Sequence, residues 1–150
     1  MNLTIDPRGV LIIDDARLMF RNFSGAGSMY NREGDRNFHL VIPDEEIKDI
    51  LMDRGWNIRV KPPRDVDDSP LMTMMVKVKY TDKSGPYVKL ISGQNSTELD
   101  AQSIGCLDKI DIDRVDLDIR PYDWDYNGKS GRTAYLSSIR VYQRMNRFAD

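Results

Sequence analysis

The residues best suited to chemistry lie in the last quarter of the chain, from Tyr126 to Phe148. This stretch contains cations and aromatic rings but no carboxylate, and its members are Lys129, Arg132, Arg140, Arg144, Arg147, Tyr126, Tyr135, Tyr142 and Phe148. Positive side chains follow a phosphate backbone, and aromatic faces stack on unpaired bases. The stretch therefore predicts a surface that binds single-stranded nucleic acid.

Acidic residues suggest a competing chemistry. Asp116 and Asp118 are two residues apart in a strand-like segment, so they share one face and could hold a metal ion, as in a nuclease. Strand faces opposite a core are often charged for solubility, and no distinctive pattern of Glu or Lys completes such a site. Because carboxylates repel phosphate, the nucleic-acid interpretation requires these two acids to lie on another side of the molecule.

One segment resembles the start of a calcium-binding loop. Asp123, Asp125, Asn127 and Gly128 have the correct spacing, but Ala134 stands at the twelfth position, where a bidentate glutamate belongs. The flanking segments are also strand-like rather than helical. Asn127 and Gly128 therefore predict the tip of a β-hairpin instead.

Composition limits the class of protein. The chain has 150 residues, of which 40% are hydrophobic and 31% charged, with a net charge of -2, and these values are typical of one globular domain over residues 1–150. Its longest apolar run, Val10 to Ile13, is too short to cross a membrane, and its N-terminus has no secretory pattern. Cys106 is the single cysteine, which excludes an internal disulfide and a multi-cysteine zinc site. An intracellular protein without a cofactor is expected.

Hydrophobic alternation predicts about seven strands and one secure helix. The helix is predicted over Asp44–Arg54, where Asp44 can cap the first turn and Gly55 can end the last. A second, short helix is expected within Thr97–Leu107. Such a pattern indicates a mostly antiparallel β domain, either a sandwich or, more favoured, a small barrel with one or two short helices.

Lysines mark the outer face of two central strands. Lys77 and Lys79 alternate with the apolar residues of the segment 74–80, and Lys89 lies in the shorter strand 87–92. A turn-like segment, 82–86, separates the two strands. The sequence therefore predicts a hairpin that presents these three lysines on one face.

The last strand contains a change of phase. Ala134 and Leu136 share one parity, whereas Ile139 and Val141 have the other. A β-bulge near Ser137 would keep all four apolar side chains on the core side. The same bulge would direct Tyr135, Arg140, Tyr142 and Arg144 outward together.

Three segments resemble a known family. Ile119–Leu136, IRPYDWDYNGKSGRTAYL, resembles a motif of phage-encoded single-stranded DNA-binding proteins with an oligonucleotide-binding (OB) fold. Arg21–Ile42, RNFSGAGSMYNREGDRNFHLVI, is similar to the N-terminal part of the same family, and a weaker likeness includes GWNIRVKPPRDVDD.

The resemblance implies an OB-like barrel that binds single strands during phage replication or recombination, without catalysis. It also implies a cytoplasmic location in the host cell and phage replication proteins as partners. Family members often carry an acidic C-terminal tail for such partners, whereas this chain ends in RMNRFAD.

The sequence thus predicts sequence-tolerant binding of single-stranded DNA. The candidate stacking residues are Tyr122, Trp124, Tyr135, Tyr142, Phe23 and Tyr30. The candidate phosphate partners are Lys77, Lys79, Lys89, Arg120, Lys129, Arg132, Arg140 and Arg144. Two alternatives stay open, namely a β-structured phage assembly protein and a metal-dependent nuclease.

Overall fold

The computed structural model describes residues 1–145, so the candidate residues Arg147 and Phe148 lie outside the described part. Ten strands, one α-helix and a short 3₁₀ helix occur within it. In chain order they are β1 (Asn2–Ile5), β2 (Leu11–Asp14), β3 (Leu18–Asn22), β4 (Arg36–Val41), α1 (Glu45–Asp53), β5 (Arg59–Lys61), β6 (Leu71–Val78), β7 (Tyr87–Ser92), β8 (Asn95–Leu99), the 3₁₀ helix (Ile104–Asp108), β9 (Ile112–Tyr126) and β10 (Lys129–Gln143).

Helix α1 has the predicted ends. The carboxylate of Asp44 accepts a hydrogen bond from the backbone N–H of Ile47 at 2.9 Å, and Glu45 and Glu46 lie in the first turn, where the helix dipole favours negative charge. Gly55 follows the helix with φ of 88°, a conformation that glycine adopts without strain. Within residues 1–145, no helix has the length and apolarity to cross a membrane.

The strands form one branched sheet. Its main path runs β1-β2-β9-β10-β6-β4-β3, with β5 beside β6 and with β7 and β8 extending from β10. Strand β10 is paired in parallel with β6 at Ala134 and Tyr135, and in parallel with β7 from Ser138 to Tyr142. The remaining pairs are antiparallel.

Two predictions about this sheet are corrected by its pairing. In the described residues the end strands β1 and β3 are not paired with each other, so the mostly β sheet is not closed into a barrel. The predicted hairpin of β6 and β7 is also wrong, because both strands run alongside β10 and use different halves of it. Lys89 is consequently separated from Lys77 and Lys79.

The predicted β-bulge is confirmed. The register between β9 and β10 shifts between Leu136 and Ser138, so that Ser137 is the extra residue. Ala134, Leu136, Ile139 and Val141 are all buried as a result. One inserted residue thus keeps both halves of β10 facing the core.

Phe23 belongs to the core and not to the surface. Its ring is 0% exposed and stacks on Phe38, with centroids 5.1 Å apart and planes 25° apart. Its backbone is held on both sides, since the N–H donates to Asp108 at 2.6 Å and the carbonyl accepts from Arg36 at 2.8 Å. The prediction that Phe23 stacks on a base is therefore wrong, because no face of the ring is accessible.

Candidate nucleic-acid interface

The β9–β10 hairpin is the longest paired element. Asn127 and Gly128 form its tip with φ values of 52° and 75°, as their residue types predict for a two-residue turn. The turn places Tyr126 opposite Lys129, and the register then continues without interruption to Leu136. A calcium loop is not formed, because its residues are used in this turn and in the strands beside it.

One side of the hairpin carries most of the predicted stacking residues. Side chains two residues apart on a strand share a face, and cross-strand partners lie on the same side of the sheet. These rules bring together a set that we call the hairpin face: Arg120, Tyr122, Trp124 and Tyr126 on β9, and Lys129, Gly131, Thr133 and Tyr135 on β10.

Three members of the hairpin face are in contact. The guanidinium of Arg120 lies over the ring of its partner Tyr135, 4.9 Å from the ring centroid. The ring of Tyr122 meets Tyr135 edge-on, with centroids 5.9 Å apart and planes at 88°. Tyr122 is 54% exposed, so an aromatic surface next to a fixed cation is open to solvent.

Trp124 lies flat on the strand opposite. A Cβ atom at its partner Gly131 would be only 2.5 Å from Cζ2 of the indole, so the absence of a side chain at Gly131 permits this close approach. The indole is 39% exposed. It extends the aromatic surface from Tyr122 toward the hairpin tip.

A cleft continues the hairpin face across the sheet. Tyr135 is in register with Lys77 on β6, and Lys77 is in register with Asn37 on β4. The space above them, which we call the central cleft, measures about 720 Å³ and is lined by Tyr30, Asn31, Arg32, Gly34, Asp35, Arg36, Asn37, Met75, Lys77, Val78, Lys79, Tyr80 and Tyr135. It therefore adds two exposed lysines to the aromatic cluster.

The loop between β3 and β4 forms one wall of the central cleft. The side-chain amide of Asn31 donates to the carbonyls of Ala26, Arg32 and Asp35 at 2.9 to 3.1 Å, which holds the loop in one shape. Tyr30 is 93% exposed at the rim. The loop thus presents Tyr30 toward the same space as Lys79.

Arg132 is engaged in contacts on the opposite side of the hairpin. It donates to both carboxylate oxygens of Asp123 at 2.7 and 3.0 Å and to the carbonyl of Arg54, and it covers the ring of Trp56. These hydrogen bonds lower the pKa of Asp123 and raise that of Arg132. Its guanidinium is therefore not available on the hairpin face.

Four other candidates are not brought to the hairpin face. Arg140 is in register with Lys89 and Asp116, and Tyr142 with Ile91 and Arg114. Arg144 lies 4.0 Å from Asp113. We call residues 138–143, which follow the bulge, the far half of β10. Arg140 and Tyr142 belong to it, Lys89 lies beside it on β7, and Arg144 follows it.

The nucleic-acid interpretation required Asp116 and Asp118 to lie away from the basic surface, and the structure contradicts this requirement. Asp116 and Asp118 share the side of β9 that carries Arg120, since all three have the same parity. Asp116 accepts hydrogen bonds from the N–H of Asp15 and from Arg114, and Asp118 accepts one from the hydroxyl of Ser138. Both carboxylates have structural partners, and residues 1–145 contain no group of three or more metal-ligating side chains.

Comparison with known proteins identifies the family. A family model described as "Putative phage ssDNA-binding domain" matches residues 4–148. The chain belongs to this family. Its description is that of a binding domain and not of an enzyme, as the resemblance implied. A comparison with curated protein sequences found no match.

Solved structures show the same fold. The single-stranded DNA-binding protein from bacteriophage Enc34 is 16% identical, with a TM-score of 0.59 over 99% of this chain and 89% of that one. The same protein in complex with ssDNA gives 16% identity and a TM-score of 0.57 over 99% of this chain and 94% of that one. This member of the phage ssDNA-binding domain family therefore shares the architecture of the Enc34 protein.

Phe20 is an exposed aromatic residue of this phage ssDNA-binding domain that the sequence pattern did not predict. Phe20 is 61% exposed and meets the ring of His39 edge-on, with centroids 5.2 Å apart. Burial, and to a smaller extent the charge of Arg59, lowers the pKa of His39 below its ordinary value. The signal for Phe20 was weak, because an aromatic residue at the end of an apolar run predicts core.

Proposed function

We propose that this protein binds single-stranded DNA with little sequence preference, in phage replication or recombination. Bases stack on the aromatic rings of the hairpin face, and phosphates contact Arg120, Lys129 and the lysines of the central cleft. One observation carries the proposal: the exposed ring of Tyr122 lies beside the Tyr135–Arg120 pair, and Tyr135 lines a cleft that also contains Lys77 and Lys79.

Stacking explains the tolerance to sequence. Every base has a π-face, and each base stacked on an aromatic side chain contributes roughly 1–3 kcal/mol to binding. Tyr122 and Trp124 have the accessible ring surface for this contact, whereas Tyr135 supports Tyr122 from the neighbouring strand. Because such contacts do not read base edges, they discriminate weakly among the four bases.

Cations of the same surface supply the salt-dependent part of the affinity. Lys77, Lys79 and Lys129 are exposed, and the described residues give none of them a carboxylate partner within 4.0 Å. Binding of a strand releases the counterions of the phosphates that these side chains neutralise. The affinity should therefore fall steeply as salt is added.

The acids of β9 mark one end of the interface. Asp118 is two residues from Arg120 on β9 and lies on the same side of the sheet. Asp116 is two residues further along the same side. Their negative charge disfavours phosphate at that end. The single-stranded DNA is therefore expected to run from the hairpin tip across the central cleft and not along the far half of β10. Lys89, Arg140, Tyr142 and Arg144 consequently lie outside the proposed interface.

The fold is proposed to be a variant of the OB-fold, formed by residues 1–150 as one domain. An OB-fold is a partly open Greek-key barrel, and incomplete closure together with non-sequential strand order is compatible with it. A single connected core supports one domain. A protein with this function would act in the cytoplasm of the host cell, where phage DNA is copied, and replication proteins are its expected partners.

A fluorescence titration with poly-dT at two salt concentrations tests the proposed function. The expected result is binding that weakens with salt, that is much weaker for duplex DNA of equal length, and that falls in Tyr122→Ala. Equal affinity for single-stranded and duplex DNA would contradict a stacking mechanism. Formation of large defined particles without DNA would instead support the assembly-protein alternative.

A further inference from the structure

Phe20 has an unusual backbone conformation. Its φ of 52° lies in the left-handed region, which side chains other than glycine, asparagine and aspartate seldom adopt. For a bulky aromatic residue this conformation is strained, and such strain persists where the surrounding structure imposes it and is often found at functional sites. The register of β3 with β4 also shifts between Met19 and Asn22, on either side of Phe20.

The conformation turns the ring out of the core. Phe20 is 61% exposed, whereas Phe23 and Phe38 are fully buried in the core. Its edge rests on the ring of His39 at an interplanar angle of 84°. His39 is in turn held by the hydroxyl of Thr73, 3.2 Å from Nδ1. The ring therefore contacts His39 and leaves most of its surface open to solvent.

Phe20 lies on the same side of the sheet as the central cleft. Its support, His39, is in register with Met75 on β6, and Met75 lines the cleft next to Lys77. Neighbouring strands are about 4.8 Å apart, so the three steps from β10 to β3 separate Tyr135 and Phe20 by roughly 14 Å in the direction across the strands. At a rise of about 3.4 Å per nucleotide, this distance is about four nucleotides of a stacked strand.

An exposed cation acts on His39, the residue that contacts the Phe20 ring. Arg59 on β5 is in register with Thr73 and is exposed. It borders a small space together with Met75, Lys77 and Thr133, and, in addition to burial, its charge contributes to the lowered pKa of His39. Arg59 thus adds an exposed cation beside Met75 and Lys77, on the side of the sheet that carries Tyr135 and His39.

We propose that Phe20 and Arg59 form a second nucleotide-binding site, in which a base stacks on the Phe20 ring and the neighbouring phosphate contacts Arg59. The inference rests on the proposed function and extends it, because it assigns the direction in which the strand crosses the sheet. The DNA runs from Tyr122 and Trp124 over the central cleft to β3, perpendicular to the strands.

Three variants test this second site by titration with a dT oligonucleotide of about 20 nucleotides, longer than the roughly 4–16 that one OB-fold covers. Phe20→Ala is expected to weaken binding by about five- to 150-fold with an unchanged salt dependence, since stacking releases no counterions. Arg59→Gln should weaken binding and reduce the slope of log K against log salt by about 0.7. Arg64→Gln, in the exposed segment that follows β5, is the matched control and should change neither quantity.

A second measurement separates binding from folding. Phe20→Gly relieves the strained φ, so its melting temperature should remain within a few degrees of the wild type while its affinity falls as in Phe20→Ala. Photocrosslinking of an oligonucleotide containing 5-iododeoxyuridine should label the peptide that contains Phe20.

The outcomes distinguish the two proposals. If Tyr122→Ala weakens binding but Phe20→Ala, Phe20→Gly and Arg59→Gln bind like the wild type, the second site is wrong and the proposed function stands. If Tyr122→Ala has no effect either and the wild type does not prefer single strands, the proposed function itself is wrong. Crosslinks to the far half of β10 in place of Phe20 would also overturn the second site.

Discussion

Arg120 and Tyr135 are cross-strand partners on β9 and β10, and the guanidinium of Arg120 lies 4.9 Å from the centre of the Tyr135 ring. A cation held on a ring face loses less conformational freedom when it binds phosphate than a free arginine would. The Tyr135 ring thus holds the guanidinium of Arg120 in place where the hairpin face meets the central cleft.

Removal of the ring that supports Arg120 should weaken binding of single-stranded DNA. Tyr135→Ala is expected to lower the affinity for poly-dT by about five- to 150-fold, whereas Tyr135→Phe, which keeps the ring, should stay within about threefold of the wild type. Tyr142→Ala is the control, because Tyr142 lies on the same strand but faces Arg114. Equal losses in Tyr135→Ala and Tyr142→Ala would contradict the proposed limits of the interface.

The lysines of the central cleft should control the salt dependence. Lys77→Gln and Lys79→Gln are each expected to reduce the slope of log K against log salt by about 0.7, and the double variant by about twice that amount. Lys89→Gln is the matched control, since Lys89 lies on β7 opposite Glu98 and is separated from the cleft. A slope that changes as much in Lys89→Gln as in Lys77→Gln would place the phosphates elsewhere.

A side chain at Gly131 should displace Trp124. Gly131→Ala puts a Cβ atom 2.5 Å from the indole, so the ring must move toward solvent. We expect a red-shifted tryptophan emission and an affinity for poly-dT that falls severalfold. Ser130→Ala, one residue away on the opposite face of the hairpin, should leave the emission and the affinity unchanged. An unaltered emission spectrum in Gly131→Ala would contradict the described packing.

His39 should make the stability depend on pH. Because burial lowers its pKa in the folded state, the unfolded chain binds a proton first as the pH falls. The contribution of His39 to the free energy of unfolding should therefore be fully present above the ordinary histidine pKa of about 6.5. It should decrease as the pH falls below this value.

Urea unfolding at about pH 7.5 and about pH 5.5 measures this effect. Since His39 is the single histidine, His39→Gln should remove most of the difference between the two pH values. A wild type that loses no more stability than His39→Gln over this range would show that the imidazole is not protected from protonation.

Most of the hairpin face could be predicted from the sequence. The Asn127–Gly128 tip fixes Tyr126 opposite Lys129, and counting back along both strands brings Arg120 opposite Tyr135. The helix ends and the bulge near Ser137 were predictable for the same reason, because each depends on residues close in the chain.

Long-range pairing could not be predicted in this way. The parallel placement of β6 and β7 along the two halves of β10 depends on the whole sheet, and it separated Lys89 from Lys77. The left-handed φ of Phe20 has no signal in its residue type. The position of Asp118, in contrast, follows from its parity with Arg120 and was predictable from the sequence.

Ser137 has a consequence for how this protein can change in length. Loss of that one residue would rotate every side chain of β10 from Lys129 to Leu136 by half a turn relative to Ile139, so that Tyr135 would point inward and Leu136 outward. Natural relatives should therefore differ between Tyr135 and Ile139 by two residues or none.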